Sequence, residues 1–181
     1  NTVAADDTNS LRYGMRTNGK SGFVFVNHYQ RLTELADIEN AVISAENVEF
    51  PPIDVKGEVS FFMPFNMKMG DSVLEYATAQ PLCKCGETYF FAEIPNIKAE
   101  YKFSKGSANI VTVPFENAKY MRKLNGTVYI GGGCNLYEEN GQIHSVEDGE
   151  YICQKWNGSE FETIKIGQSA KQSNVEITGV E

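Results

Sequence analysis

The chain of 181 residues is long enough for one domain with its own core or for two small β modules. Hydrophobic residues make up 41% of it, and no apolar run approaches the roughly 20 residues that cross a bilayer, which excludes a membrane partner. A formal net charge of -8 argues against nucleic acid as a partner, because clustered Lys and Arg are what bind a phosphate backbone.

The amino-terminal residues 1–10 are polar and acidic, and they contain no secretion signal. We expect them to form a flexible lead-in. We therefore expect a cytoplasmic protein, and a secreted or cell-surface protein is the alternative if the parent chain carries a signal peptide.

Apolar runs predict strands along most of the chain. Residues 11–16 and 99–103 alternate apolar with polar or small side chains, which places one set in a core and the other in water. Four short aromatic and β-branched runs predict strands that are covered on both faces, at residues 23–26, 61–63, 89–92 and 110–113. Residues 31–42 have helical spacing without a clean cap, so we expect a long loop or a single turn.

Asn-Gly pairs mark the predicted hairpin turns. Each is expected to supply the positive φ angles of a tight turn, at Asn18-Gly19, Asn125-Gly126, Asn140-Gly141 and Asn157-Gly158. The clearest hairpin pairs residues 151–156 with residues 161–166. The three glycines 131–133 predict a flexible turn or a close backbone crossing, since the Lys-Ser/Thr of a phosphate loop does not follow them.

Short strands, regular turns and the lack of a helical stretch predict an all-β fold, an antiparallel β-sandwich or jelly-roll-like architecture. The composition shifts toward Gly, Asn, Glu and Lys from about Phe115. We therefore expect a main β-sandwich over residues 11–115, followed over residues 116–181 by closing strands or a smaller, abutting β subdomain. The polar tail reaches Val175 and Ile177, which predict a final edge strand or the start of a linker.

Two stretches resemble a known family. RYGMRTNGKSGFVFVNHYQRL (residues 12–32) and FFMPFNMKMGDSVLEYATAQPLC (residues 61–83) are similar to segments just past the catalytic barrel in bacterial β-galactosidases of glycoside hydrolase family 35. With residues 86–103 they cover a little over half of the chain. His28 departs from the family, which has a second Asn at this position.

The resemblance implies a non-catalytic β-sandwich module that accompanies a (β/α)₈ barrel with two catalytic glutamates. Neither the barrel nor those glutamates can be placed on this sequence, so no catalytic residue is assigned, and whether the chain is an enzyme stays open. The implied partner is the catalytic barrel of the parent chain. We expect the isolated domain to expose an apolar patch of more than a few hundred Å² where the barrel is missing, which dimerisation could mask.

Motifs for catalysis, cofactors and metals are missing from the sequence. No Gly-x-Ser-x-Gly elbow is present, and Glu75 and Glu93 are expected to face water from apolar strands. Cys83 and Cys85 lack the second pair of ligands that a zinc site needs. We expect these two, Cys134 and Cys153 to be free thiols, with disulfides as the alternative in a secreted protein.

The candidate binding residues are Asn27, Tyr29, Arg31 and Trp156. The first three follow an apolar strand, with Gln30 among them, and combine an aromatic ring with polar donors of the kind that hold sugars. We expect them to bind carbohydrate or, the favoured interpretation, to contact the missing barrel. Trp156 is either a stacking platform for a sugar or, as we favour, a half-buried packing residue.

The leading hypothesis is an accessory domain that packs against the barrel, stabilises the enzyme and shows no hydrolysis alone. The alternatives are an independent carbohydrate-binding module for galactosides and a structural or adhesive β-sandwich.

Overall fold

A computed structural model describes residues 3–4, 6–147 and 149–167. Strands take 57% of these residues and helix 2%, so the predicted all-β, sandwich-like class is confirmed. The chain divides into two compact units, Asn1–Ala118 and Lys119–Glu181. The composition predicts the boundary between the two parts three residues earlier, between residues 115 and 116. The strand or linker expected near Val175 and Ile177 lies outside the described residues.

The elements of the first unit are short strands followed by one helical turn. They are β1 (Tyr13–Thr17), β2 (Gly22–His28), β3 (Ile38–Ala41), β4 (Ser44–Ala45), β5 (Val48–Glu49), β6 (Ile53–Val55), β7 (Val59–Met69), β8 (Ser72–Ala77), β9 (Gln80–Cys85), β10 (Thr88–Ala92), β11 (Tyr101–Lys105), β12 (Asn109–Val113) and α1 (Phe115–Ala118). The loop or single turn expected over residues 31–42 is present over residues 31–37, and the expectation is wrong for Ile38–Ala41, which form β3.

Two sheets organise the first unit. The larger has the strand order β1-β2-β7-β8-β11, and all of its neighbours are antiparallel. The smaller has the order β12-β10-β9, and β10 and β12 run parallel within it. The chain crosses from β10 to β11 in the larger sheet and then returns, so β12 runs in the same direction as β10. Among the described strands, this is the one parallel pair of an otherwise antiparallel fold.

The core of the first unit lies on the inner side of the larger sheet. Val24 and Met63 from this sheet pack with Phe50 and Ile53 from the segment that contains the short strands β3 to β6. A second cluster joins Leu74 of β8 to Phe91 of β10, and half-buried Ala99, Tyr101 and Phe103 pack against it. The alternation predicted for residues 99–103 therefore places its three apolar side chains against the core.

Strand β2 is covered on one face only. Val24 and Val26 are 1% and 2% exposed, whereas Phe25 between them is 41% exposed. The prediction that residues 23–26 are covered on both faces is wrong, because Phe25 lies on the solvent side of the sheet.

The four Asn-Gly turns use their asparagines in two ways. Asn125-Gly126 and Asn140-Gly141 have positive φ at both residues (49° and 75°, 52° and 79°), as predicted. At the other two turns only the glycine has positive φ, so the prediction is wrong for both asparagines, Asn18 and Asn157. Their Oδ1 atoms instead accept hydrogen bonds from two backbone N–H groups within the turn.

The second unit contains one sheet and one separate hairpin. Its strands are β13 (Met121–Leu124), β14 (Thr127–Ile130), β15 (Leu136–Glu139), β16 (Gln142–Ser145), β17 (Tyr151–Trp156) and β18 (Phe161–Ile166). The sheet has the order β13-β14-β17-β18, and β15 pairs with β16. The predicted pairing of residues 151–156 with 161–166 is confirmed from Tyr151↔Ile166 to Trp156↔Phe161.

The glycine run 131–133 forms the turn that was one of the two predicted alternatives, with a close backbone approach at Gly131. A Cβ atom on Gly131 would lie 1.9 Å from the carbonyl oxygen of Cys134, and only glycine fits there. Cys134 N–H also donates to the carbonyl of Gly131 at 3.4 Å.

Across the residues that are described, none of the helices has the length and apolar character to span a membrane.

Candidate functional site

Three of the four predicted binding residues lie at the carboxyl end of β2, and all three are exposed. Asn27 Oδ1 accepts a hydrogen bond from Ser60 Oγ at 2.7 Å. Tyr29 is 47% exposed. Arg31 follows Gln30 in a four-residue turn that Thr33 N–H closes by donating to the carbonyl of Gln30 at 3.2 Å. These side chains are therefore accessible to a ligand or to a neighbouring protein.

Gln30 has a structural role in that turn. Its Oε1 accepts from the guanidinium of Arg12, and its Nε2 donates to Thr33 Oγ1 at 3.1 Å. The same guanidinium donates to the carbonyl of Asp7 at 2.9 Å, which ties the lead-in segment to the sheet. At the tip, Leu32 is almost fully exposed and has a φ of 61°, a conformation that a leucine rarely adopts.

Trp156 lies away from solvent. It is only 6% exposed, and its ring packs against Phe161 with centroids 5.2 Å apart and planes at 65°. A ring in this position has no open face for a sugar, which supports the packing interpretation. The stacking role is therefore set aside for this residue.

The other chemically reactive groups show no site among the described residues. None of the four cysteines is in a disulfide; Cys134 and Cys153 are buried, and burial raises the pKa of the Cys153 thiol. Glu93 is exposed, whereas Glu75 pairs with Lys102 at 2.8 Å, a hydrogen bond that raises the pKa of Lys102. No group of three or more His, Cys, Asp or Glu in the described ranges could hold a metal ion.

The outer side of the larger sheet carries three phenylalanines, which we call the aromatic face: Phe23, Phe25 and Phe62. Phe25 of β2 lies directly opposite Phe62 of β7, with ring centroids 5.9 Å apart. Phe23 lies 5.8 Å from Phe62 and 6.4 Å from Phe25. On the other side of Phe25 the register places Gly14, which has no side chain to cover the ring. The face therefore stays open to solvent.

The residues of the YATAQPL segment serve the fold. Ala77, Thr78 and Ala79 are buried at the corner between β8 and β9. Thr78 Oγ1 donates to the carbonyl of Lys98 at 2.7 Å and accepts from Glu100 N–H at 2.8 Å. Gln80 Oε1 accepts from Phe62 N–H at 3.3 Å. This segment fixes the corner and supports the strand that carries Phe62.

A cleft of about 400 Å³ opens at the opposite end of β2 from Tyr29 and Arg31. One wall is the β1–β2 hairpin and the other is β7. Arg16 and Lys68 lie in its lining, with Phe23 and Met67 as apolar surface. The sequence analysis missed this cleft, because its two cations are separated by more than 50 positions in the chain; the register that joins β2 to β7 brings their strands together.

Comparisons with protein-family models, with curated proteins and with solved structures found no match for the chain. A proposal about function therefore depends on the aromatic face, the exposed end of β2 and the resemblance of residues 12–32 and 61–83.

Proposed function

We propose that the chain is a non-catalytic accessory β domain of a larger glycoside hydrolase of the β-galactosidase type. It packs through the aromatic face against the catalytic barrel of the parent protein and stabilises the assembled enzyme. The observation that carries the proposal is the open cluster of three phenylalanines on the outer side of the larger sheet.

The exposure of Phe25 supports a docking role. A phenylalanine gains roughly 1.5–3 kcal/mol when it moves from water into a packed environment, so leaving one open on a flat sheet forgoes stability that a neighbour can supply. Phe25 is 41% exposed although the rings of Phe23 and Phe62 contact it. Contiguous apolar clusters on a protein surface mark sites that contact other proteins.

The position of the aromatic face agrees with the resemblance. Residues 12–32 contain β1 and β2, and residues 61–83 contain most of β7, all of β8 and most of β9. The aromatic face consists of β2 and β7 side chains beside Gly14 of β1, so it is built entirely from these two segments. The segments that suggest the family are therefore the ones that form the proposed contact with the barrel.

The first test is the reading frame that encodes Asn1. The proposal expects a (β/α)₈ barrel upstream in the same frame, and it expects the 181-residue chain alone to leave nitrophenyl β-galactosides unhydrolysed. A frame without a barrel, or turnover by the purified chain, would overturn the proposal.

The second test places Phe25→Ser in that longer protein. We expect a lower thermal midpoint of barrel inactivation, and a smaller decrease for the same change in the 181-residue chain, where Phe25 is already part-exposed. Ile152→Ser is the matched control, since Ile152 is a 60% exposed strand residue of the second unit. Equal effects of the two changes on the barrel would argue against docking through the aromatic face.

Carbohydrate binding at the end of β2 is a second candidate, which the exposure of Tyr29 beside Arg31 favours. An open aromatic ring near amide and guanidinium donors suits a sugar ring. Calorimetric titration with galactose and lactose tests it: saturable binding that Tyr29→Ala removes would support a binding module, and absence of heat at millimolar sugar would eliminate it.

A further inference from the structure

The cleft between the β1–β2 hairpin and β7 carries positive charge on a negatively charged protein. The chain has 24 acidic and 16 basic residues, yet Arg16 and Lys68 both line the cleft and none of its lining residues is acidic. Among the residues that the structure describes, the side chains of Arg16 and Lys68 make no hydrogen bond or ion pair. We propose that this cleft binds a small organic anion, a carboxylate, sulfate ester or phosphate ester attached to an apolar ring.

The walls of the cleft are held in place by side-chain hydrogen bonds. Asn66 Nδ2 donates to the carbonyl of Lys20 at 2.9 Å and to Asn47 Oδ1 at 3.2 Å, which ties the hairpin tip to β7. Within the hairpin, Asn18 Oδ1 accepts from Lys20 N–H and Ser21 N–H at 3.0 and 2.9 Å. A ligand therefore meets a cleft that is already formed, so little ordering has to accompany binding.

The close approach at Gly22 keeps the hairpin tight. A Cβ atom on Gly22 would lie 2.1 Å from the carbonyl oxygen of Arg16, so no larger residue fits without moving β1. Arg16 itself lies opposite Phe23 in the register of β1 and β2. The guanidinium and the aromatic ring are thereby carried on neighbouring strands of one wall.

The lining indicates what kind of anion fits. Guanidinium and ammonium groups bind carboxylate, sulfate and phosphate through charge-assisted hydrogen bonds, which are stronger than bonds between neutral groups. Phe23 and Met67 supply apolar surface for a ring, and Thr17 and Ser21 supply hydroxyls. A volume of about 400 Å³ lies within the range of small-molecule pockets.

A second cleft of the first unit also contains a lysine, but this lysine is paired with a carboxylate. This cleft, of about 260 Å³, contains Lys98 together with Asp54 and Glu100. Lys98 Nζ lies 3.0 Å from Glu100 Oε1, so its charge is already compensated. An anion gains little there, and the cleft beside the hairpin is the better anion site.

The test is a titration of the ¹⁵N-labelled 181-residue chain, followed by amide chemical shifts. The probes are phenyl phosphate, benzoate, inorganic phosphate and the neutral benzyl alcohol. We expect saturable shifts at residues 16–23 and 65–68 with phenyl phosphate and benzoate, weaker ones with inorganic phosphate and none with benzyl alcohol. Shifts scattered over the surface, or equal responses to the neutral probe, would overturn the proposal.

Charge-removing variants complete the test. Arg16→Gln and Lys68→Met should each weaken phenyl phosphate binding about tenfold, because each removes one charge-assisted contact. Lys105→Gln removes the same charge from exposed β11 outside the cleft and should leave the affinity within about twofold, since screened long-range charge contributes little. Arg16 and Lys68 are exposed, so folding should survive, as unshifted amides in the parts of the first unit away from the cleft would verify. If all three variants bind alike, the anion is held by net charge and not by this cleft.

Discussion

The hydroxyl group of Thr78 should contribute measurably to the stability of the first unit. Its oxygen bonds both the carbonyl of Lys98 and the N–H of Glu100, and its side chain is 1% exposed. Thr78→Val keeps the shape but leaves these two backbone groups without their partner. A net hydrogen bond contributes roughly 0.5–1.5 kcal/mol and an unsatisfied buried group costs more, so we expect a loss of about 2–4 kcal/mol.

Urea unfolding followed by far-UV circular dichroism measures this loss, since strands dominate the signal. Trp156 fluorescence would follow the second unit, in which the only tryptophan lies, and so should not be the sole probe. Thr78→Ser is the matched control because it keeps the oxygen and removes one methyl group, at a cost of about 1 kcal/mol. The reasoning fails if Thr78→Val lies within about 0.5 kcal/mol of the parent chain or costs no more than Thr78→Ser.

Three further predictions concern other parts of the chain. His28 is buried and neither ring nitrogen has a hydrogen-bond partner, so His28→Leu should raise the free energy of unfolding by about 1–3 kcal/mol; a loss in urea unfolding would contradict this. Gly14→Val should raise the thermal midpoint, because its Cβ would meet no atom within 4 Å and valine favours strands; a lower midpoint would count against it. Burial raises the pKa of Cys153, so less thiolate forms at pH 8 and disulfide-exchange reagents should label half-buried Cys83 first; mass spectrometry showing equal labelling would refute this.

The sequence predicts the hairpins that depend only on neighbouring residues. The hairpin of β17 and β18 followed from two apolar segments around Asn157-Gly158, and the structure pairs these two segments over their whole length. The Asn125 and Asn140 turns also followed from sequence, because a two-residue turn needs positive φ at both positions. The turn at Asn18 is larger, because four residues join β1 to β2, and it needs positive φ only at its glycine. The length of a turn depends on which residues of the two strands pair, and the Asn-Gly pair alone does not reveal that.

Features that depend on other parts of the chain were not predictable. A continuous run such as residues 23–26 looks the same whether one or both of its faces are covered, so the exposure of Phe25 could not be derived from it. The parallel pair of β10 and β12 arises because β11 joins the other sheet. The anion cleft combines residues from β1 and β7, and no spacing rule connects Arg16 to Lys68.

The aromatic face and the anion cleft share Phe23 but differ in their other residues, so experiments can separate the two proposals. Phe23 contacts Phe25 and Phe62 on the aromatic face and also lines the cleft, whereas Phe25 does not line the cleft. Phe25→Ser should therefore lower the thermal midpoint of barrel inactivation and leave the affinity for phenyl phosphate unchanged. Arg16→Gln should weaken phenyl phosphate binding without lowering the midpoint of barrel inactivation. If each variant impaired both properties equally, a single surface would serve both, and the anion bound in the cleft would stand in for an acidic group of the barrel.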